Sequence, residues 1–365
     1  MITRRDLLKG AVITGAACLV GPFSTYGSGR SRFDTVIRNG TVYDGTLAKP
    51  FIADIGIRGD RIVAIGSNLG EGAQIIDATG LMVTPGFIDV HNHGDLTFQR
   101  FGTDAATTAS KIPSLAGNHS YLYQGVTTIV TGNCGFGYTN INEFYDILTK
   151  VKFGSNVYHL APHGAIREEL FGYNQPQKLT AQQLEAMKKK VAQEMEKGAV
   201  GLSTGLEYAP GALTGTEELI ELAKIVRKYN GVYVSHIRDL TGKIYDHGRI
   251  GVIEALKAAI EVGKKANVPV QISHIQIDEP INNMTAEPMI ELIAKARAEG
   301  VDIAADAYPY DAGVTWLTML TPAKYKTDKG IKKEYNNAEG RAELKKAVEE
   351  TFKYLGPERT MIIMY

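Results

Sequence analysis

The sequence predicts an α/β protein built on a (β/α)8 TIM-type barrel, with a small β-sandwich domain before it. From about residue 82 onward, short apolar segments typical of buried strands alternate with amphipathic segments typical of helices. Seven such repeats follow one another. No glycine-rich dinucleotide fingerprint follows the first strand, which argues against an open doubly wound sheet.

Residues 1–30 are predicted to be a twin-arginine-type signal peptide and linker. Arg4 and Arg5 precede an apolar stretch that is too short to span a bilayer, and a Gly/Ser-rich segment follows. We therefore expect an exported, periplasmic protein with no stable membrane insertion after signal cleavage. An amphipathic first helix of the mature domain is the alternative interpretation, and lipidation of Cys18 stays open.

Residues 31–81 alternate between apolar and polar and contain turn dipeptides such as Asn39-Gly40, which predicts the N-terminal part of a β-sandwich. Residues 82–365 are predicted to form the barrel, whose amphipathic helices are clearest at four places: residues 180–198, 215–231, 251–268 and 285–300. The barrel is predicted to be incomplete, because only residues 360–365 resemble part of an eighth strand. We expect such a fragment to be unstable and nearly inactive alone.

The balance of charge gives no electrostatic case for nucleic acid or a polyanionic partner, and the expected substrate is a small molecule. Lysine plus arginine and aspartate plus glutamate both number 40, so the formal net charge is zero. The two cysteines cannot build a disulfide framework. Neither feature indicates an oligomeric state.

Metal-ligating residue types fall where the predicted strands end, which is the end of a barrel that carries its chemistry. His91 and His93 end the first strand, and residues two apart in a strand point to the same side. The other candidates at strand ends are Cys134, His163, His236, His274, Asp306 and Tyr308. A thiolate and imidazoles suit zinc, which polarises a carbonyl and lowers the pKa of water to ~7.

Each of these residues alone has a structural interpretation. A single His-x-His pair is weak evidence for a metal because histidine is often a hydrogen-bonded core residue. Cys134 alone is more often a small buried apolar residue, and His163 can simply cap a loop. Their joint occurrence at several strand ends is what predicts a metal centre and hydrolysis of a C–N bond.

The segment "VTPGFIDVHNHGD" resembles the first barrel strand of the amidohydrolase superfamily. The segments "TGNCGFG", "GLSTGLEYAPG", "SHIRD", "ISHIQ" and "AYPYDAG" resemble its N-acyl-D-amino-acid deacylase (D-aminoacylase) branch. The resemblance implies a tightly held zinc ion on Cys134, His236 and His274. It also implies a weaker second metal on His91 and His93.

The same resemblance implies that Tyr208 and Tyr308 line the substrate pocket, that Asp95 lies near the second metal, and that the reaction is deacylation of N-acyl-D-amino acids. Two positions depart from the family pattern: Gln276 stands in place of a lysine and Val314 in place of a serine. Both family residues bind the substrate carboxylate, so that group must be held by other residues, such as Arg238, or be absent.

The family's catalytic aspartate lies on strand eight, and no equivalent precedes Tyr365. The catalytic residue is therefore unknown at this stage. Two other functions stay open: an amidohydrolase acting on a dipeptide-like or cyclic amide, and a truncated, non-catalytic binding protein. Acyl preference, stereospecificity and metal count are not indicated by the sequence.

Overall fold

The computed structural model describes residues 32–172, 178–240, 244–245, 249–276, 285–309, 312–313, 315 and 335–356. The predicted signal peptide and linker (1–30), Val314 and the predicted strand remnant (360–365) lie outside these residues. The chain divides into two compact units, one up to Phe87 and one from Ile88.

The first unit is a five-stranded sheet in the order β3-β2-β1-β4, with β5 also on β1. Its strands are β1 (Phe33–Val42), β2 (Phe51–Arg58), β3 (Arg61–Gly66), β4 (Gly72–Asp77) and β5 (Met82–Val83). β1 pairs antiparallel with β2 and parallel with β4 and β5. Alternating apolar residues bury Val42, Ala53 and Ile55 in a small core.

The second unit alternates strands with helices, as its sequence predicts. Its strands are β6 (Phe87–Asp89), β7 (Val126–Thr131), β8 (Asn156–His159), β9 (Ala161–Pro162), β10 (Gly201–Gly205), β11 (Val232–His236), β12 (Ile244–Tyr245), β13 (Arg249–Ile250), β14 (Val270–Ile272) and β15 (Ile303–Ala305). Its helices are α1 (Gly94–Arg100), α2 (Ala105–Ser110), α3 (Pro113–Ala116), α4 (His119–Leu122), α5 (Ile141–Val151), α6 (His163–Phe171), α7 (Ala181–Glu196), α8 (Thr216–Lys228), α9 (Gly251–Ala266), α10 (Glu287–Ala298) and α11 (Ala338–Leu355).

The four amphipathic helices predicted from periodicity are confirmed as α7 to α10. α7 begins with a capping box, in which the Thr180 hydroxyl accepts from the Gln183 amide and the Gln183 side chain accepts from the Thr180 amide. Helices α7 to α9 bury apolar stripes against the strands in one large core. Within the described residues no helix is both long and apolar enough to cross a membrane.

Eight described strands of the second unit form two sheets that follow chain order, and β12 and β13 pair with each other in a separate antiparallel ladder. One sheet contains β6-β7-β8 and the other β9-β10-β11-β14-β15, and Leu160 alone separates β8 from β9. The ladders of the larger sheet, and the ladder of β7 with β8, are all parallel. Helices pack beside these strands, which defines a mixed α/β fold.

The carboxyl ends of the strands converge. His91 follows β6 and Asp306 follows β15, yet His91 Nδ1 lies 3.3 Å from Asp306 Oδ1. Adjacent strands are spaced about 4.8 Å apart, so a flat sheet would hold these ends far from each other. The sheets therefore curl strongly, although no ladder among the described strands closes them into a barrel.

Candidate metal centre

Three metal-ligating side chains from distant parts of the chain meet at the carboxyl ends of the strands. Cys134 Sγ lies 3.4 Å from His91 Nε2 and 3.6 Å from His274 Nε2. All three atoms lie within 4.8 Å of one another. These residues follow β6, β7 and β14, so the curl of the strands, and not proximity in sequence, brings them together.

The two other predicted ligands adjoin this group. His236, at the end of β11, places Nδ1 2.9 Å from His274 Nε2 and is 2% exposed. The ring of His93 lies 5.6 Å from that of His91, on the exposed side. His91 thus lies beside Cys134 and His274, so the predicted division into a Cys134–His236–His274 set and a His91–His93 set stays a prediction.

The backbone is held in unusual conformations at two of the candidate ligands. Cys134 has φ 54° and His274 has φ 35°, in the left-handed region that non-glycine residues seldom adopt. A Cβ on Gly205 would collide with the Cys134 carbonyl, so the strand end must be glycine to approach this closely. Such conformations cluster at functional sites because the surrounding structure enforces them.

The protonation states suit metal binding at the imidazoles. Burial, together with the neighbouring rings of His236 and His91, lowers the pKa of His274 to about 3. Its ring is therefore neutral at pH 7, as a metal ligand must be. Burial raises the pKa of the Cys134 thiol, and the carboxylates of Asp306 and Asp95 raise it further. Cys134 would become a thiolate only beside a cation.

Two carboxylates that belong to neither predicted ligand set adjoin the histidines. Asp306 Oδ1 accepts from the His274 amide at 2.6 Å, and Oδ2 accepts from the Gln271 side chain at 2.8 Å. Burial raises the pKa of Asp306, but His91, the His274 amide and Gln271 outweigh burial and hold it below its ordinary value. Glu207 Oε2 lies 3.2 Å from His236 Nε2.

The sequence predicts Asp306 at a strand end but indicates no partner for it, and it does not single out Glu207. A signal for Glu207 exists: it is an acidic residue two positions after the end of the fully buried strand β10. Acidic residues at strand ends are common, so this signal alone does not separate a site residue from a solvated one.

The predicted pocket residues lie around this centre. The ring of Tyr208 packs 4.6 Å from that of His236. The Tyr308 hydroxyl donates a short hydrogen bond to Gln276 Oε1, which pairs two predicted pocket positions. Arg238 Nη2 donates to the Thr214 carbonyl at 2.5 Å. One amino group of Arg238 is thus used within the protein, and its part in substrate binding stays a prediction.

His163 does not join the donor group. It begins α6, is fully buried, and places Nε2 2.9 Å from Glu218 Oε1 on α8. Arg167, one turn along α6, brings Nε to 3.4 Å from the same oxygen. His163 therefore belongs to a buried cluster with Glu218 and Arg167 and does not cap a loop.

Asp95 is fully buried, and neither carboxylate oxygen has a hydrogen-bond partner among the described residues. Burial raises its pKa to about 7, against a smaller lowering by nearby backbone amides. A Cβ on Gly137 would lie 2.6 Å from Asp95 Oδ2, so glycine is needed beside this carboxylate. Asp95 therefore packs against the loop that carries Cys134.

Fold and site together define an α/β protein with a thiol-and-imidazole metal-binding arrangement at the carboxyl ends of parallel strands. No family model matches the chain. It is 31% identical to D-aminoacylase of Alcaligenes xylosoxydans xylosoxydans over 309 residues, which is 78% of this chain and 59% of the relative. It is also 31% identical to N-acyl-D-glutamate deacylase of the same organism, over 79% of this chain and 59% of the relative.

Solved structures of relatives show the same similarity. The N-acyl-D-glutamate deacylase of Bordetella bronchiseptica, complexed with zinc and a phosphonate inhibitor that mimics the tetrahedral intermediate, matches 77% of this chain with a TM-score of 0.64 at 30% identity. A D-aminoacylase described as a novel subset of amidohydrolases matches 76% with a TM-score of 0.60, also at 30% identity. The chain covers 59% of each of those two chains. The predicted resemblance is confirmed: this chain is related to the N-acyl-D-amino-acid deacylases of the amidohydrolase superfamily.

Proposed function

We propose that this protein is a zinc-dependent hydrolase that cleaves the amide bond of N-acyl-D-amino acids. The observation that carries the proposal is the convergence of Cys134 Sγ, His91 Nε2 and His274 Nε2 within 4.8 Å. The relatives named D-aminoacylase and N-acyl-D-glutamate deacylase support the substrate class. Because the chain spans 59% of their length, the activity is proposed for the whole protein that contains it.

The donor set fits zinc. One thiol and several imidazoles make the mixed sulfur and nitrogen ligand set that zinc accepts in tetrahedral sites. The depressed pKa of His274 keeps a lone pair available at pH 7. His274 Nδ1 is buried without a hydrogen-bond partner among the described residues, whereas His91 Nδ1 lies 3.3 Å from Asp306 Oδ1. The Nε2 atoms of His91 and His274 face Cys134 Sγ, at 3.4 Å and 3.6 Å, and are the nitrogens that would bind metal.

The chemistry that bound zinc supplies is polarisation of the amide carbonyl and a more acidic water. The chain's own residues would bind and orient the substrate. Tyr208, packed on His236, forms one wall beside the metal ligands, and the Tyr308–Gln276 pair offers neutral hydrogen-bonding groups to the substrate. The group that takes the proton from water is assigned to no described residue.

We propose further that Cys134, His236 and His274 hold one tight zinc ion, and that His91 and His93 help to hold a weaker one. A relative's structure described as showing activation by one metal and attenuation by a second supports two unequal sites. We also propose that the strands complete a (β/α)8 barrel in the whole protein, in line with their curl.

The proposed location is the periplasm, reached through the signal in residues 1–30. Arg4 and Arg5 ahead of a short apolar stretch support it. N-terminal sequencing of the protein recovered from the periplasm tests this proposal. Retention of Met1 in a cytoplasmic product would contradict it.

A second substrate class is favoured by one contact. Gln276 accepts from Tyr308 and is neutral, so this pair suits an amide or dipeptide-like group as well as a free carboxylate. A panel of N-acetyl-D-amino acids, their L-enantiomers and D-containing dipeptides separates the two classes.

The test uses the purified whole protein that contains this chain, supplied with zinc, together with the panel above and the Cys134→Ser variant as control. We expect hydrolysis of D-substrates well above that of L-substrates, and a loss of at least ~100-fold in Cys134→Ser, because the loss of a ligand exceeds that of an outer hydrogen-bond partner. Equal activity of Cys134→Ser and wild type would refute the proposed centre. Equal rates on both enantiomers would refute the substrate class.

A further inference from the structure

We propose that Glu207 is a positioning residue that fixes the ring of His236 so that Nδ1 faces the metal centre. The proposal rests on the proposed zinc site and adds a residue to it. Glu207 lies on the loop after β10, whereas His236 ends β11, so the contact joins two neighbouring strand ends.

The carboxylate of Glu207 makes two contacts that together define its place. Oε2 lies 3.2 Å from His236 Nε2, and Oε1 accepts from the Leu240 amide at 3.0 Å. Leu240 lies on the loop that follows His236. One carboxylate thus holds both the imidazole and the backbone just beyond it, which restrains the ring at two points.

The remaining surroundings place the Nδ1 atom of His236 on the side of the donor group. Tyr208 packs on the imidazole with ring centroids 4.6 Å apart, and His274 Nε2 lies 2.9 Å from its Nδ1. An ionised carboxylate only accepts hydrogen bonds, so the proton of a neutral His236 lies on Nε2. The lone pair is then on Nδ1, on the side of His274 and the rest of the donor group.

This arrangement gives Glu207 a definite function. Carboxylates that accept from the outer nitrogen of a ligating histidine set its tautomer and orientation, and their loss typically weakens metal binding ~10–100-fold. In Glu207→Gln the amide oxygen can still accept from Leu240, but the amide NH2 would face Nε2. The variant therefore keeps the shape of the residue and favours the opposite tautomer of His236.

The experiment measures two quantities in the 365-residue chain. The first is zinc affinity, by competition with a chromophoric chelator, for wild type, Glu207→Gln and Glu218→Gln. The second is the tautomer of His236, from the long-range ¹H–¹⁵N spectrum of metal-free, histidine-labelled protein. Glu218→Gln is the matched control, because it makes the same change in a buried Glu–His pair at His163, outside the donor group.

We expect the Nε2–H tautomer of His236 in wild type, a shift towards Nδ1–H in Glu207→Gln, and ~10–100-fold weaker zinc binding in that variant. Glu218→Gln should lower the midpoint of thermal unfolding and leave zinc affinity unchanged. A wild-type His236 in the Nδ1–H form would overturn the proposal even if Glu207→Gln fails to fold. Unchanged zinc affinity in folded Glu207→Gln would also overturn it.

Failure of the proposed metal centre and failure of the role proposed for Glu207 would give different results. If wild type binds zinc no more tightly than Cys134→Ser, the proposed metal centre is wrong, whatever the tautomer of His236. If wild type binds zinc through Cys134 and Glu207→Gln binds it equally well, only the assignment of Glu207 is wrong.

Discussion

Two groups of side chains at strand ends of the same unit contain histidine, and they differ in the atoms that the imidazoles face. In the closed cluster, defined as His163, Arg167 and Glu218, one carboxylate meets both an imidazole and a guanidinium within 3.4 Å. All three are buried, and the opposite charges of Arg167 and Glu218 compensate each other. In the metal centre, by contrast, a thiol and imidazoles turn their ligand atoms towards one another.

The backbones of the two groups differ as well. His163 and Arg167 lie on helix α6 and Glu218 lies on α8, so the closed cluster is carried by regular structure. Cys134 and His274 both have positive φ. Regular elements suffice to place a structural ion pair, whereas the metal centre requires backbone conformations that cost energy. A histidine at a strand end is thus informative only together with the atoms that its ring faces.

The largest expected effect concerns the cation of the closed cluster. Arg167→Met should lower the free energy of unfolding by about 3–5 kcal/mol, because it leaves a buried Glu218 without its guanidinium. Urea unfolding monitored by circular dichroism measures this. Zinc affinity of the folded variant should not change. A loss of zinc binding without a loss of stability would show that the two groups are not independent.

The difference between the two groups shows which features of the fold and the site can be predicted from the sequence. Apolar periodicity is local, so it predicts α7 to α10 and the strand ends that carry His91, Cys134 and His274. The partner of an imidazole is not local. Glu218 follows His163 by 55 residues, and Glu207 precedes His236 by 29. Which strand-end histidine meets a carboxylate and which meets a thiol depends on how the strands curl, and periodicity does not encode that.

His159 is a buried histidine outside both groups, and it shows how burial changes the pKa of an imidazole. Its Nε2 donates to the Tyr138 carbonyl at 3.1 Å, and the Thr131 hydroxyl lies 2.7 Å from Nδ1. Burial lowers its pKa to about 4, against a smaller rise from the Tyr138 carbonyl. Between about pH 6.5 and 4, His159 therefore binds a proton in the unfolded chain but not in the native protein.

It follows that His159 lowers the free energy of unfolding as pH falls through this window, by up to about 1.4 kcal/mol per pH unit, and has no such effect above it. His159→Gln should be less stable than wild type at pH 7, with a deficit that shrinks towards pH 4. Urea unfolding of both proteins across this range measures the difference. A deficit that stays constant from pH 7 to 4 would show that His159 takes up its proton at the same pH in the native protein as in the unfolded chain.

Gly137→Ala probes the backbone on which the metal centre depends. Gly137 has φ 134°, and an added Cβ would lie 2.6 Å from Asp95 Oδ2 and 3.0 Å from the Gly132 Cα. We expect a loss of about 1–3 kcal/mol in the free energy of unfolding from backbone strain. Because Gly132 and Gly137 flank Cys134, zinc binding should weaken as well.

Gly300→Ala is the matched control, because Gly300 has φ 90° but an added Cβ would meet nothing within 4 Å. It should cost about 1 kcal/mol from conformation alone and leave zinc affinity unchanged. The difference between the two variants isolates the contact with Asp95. If both variants lose the same stability and neither loses zinc, the loop that carries Cys134 tolerates displacement. The metal centre would then depend on its backbone no more than the closed cluster does.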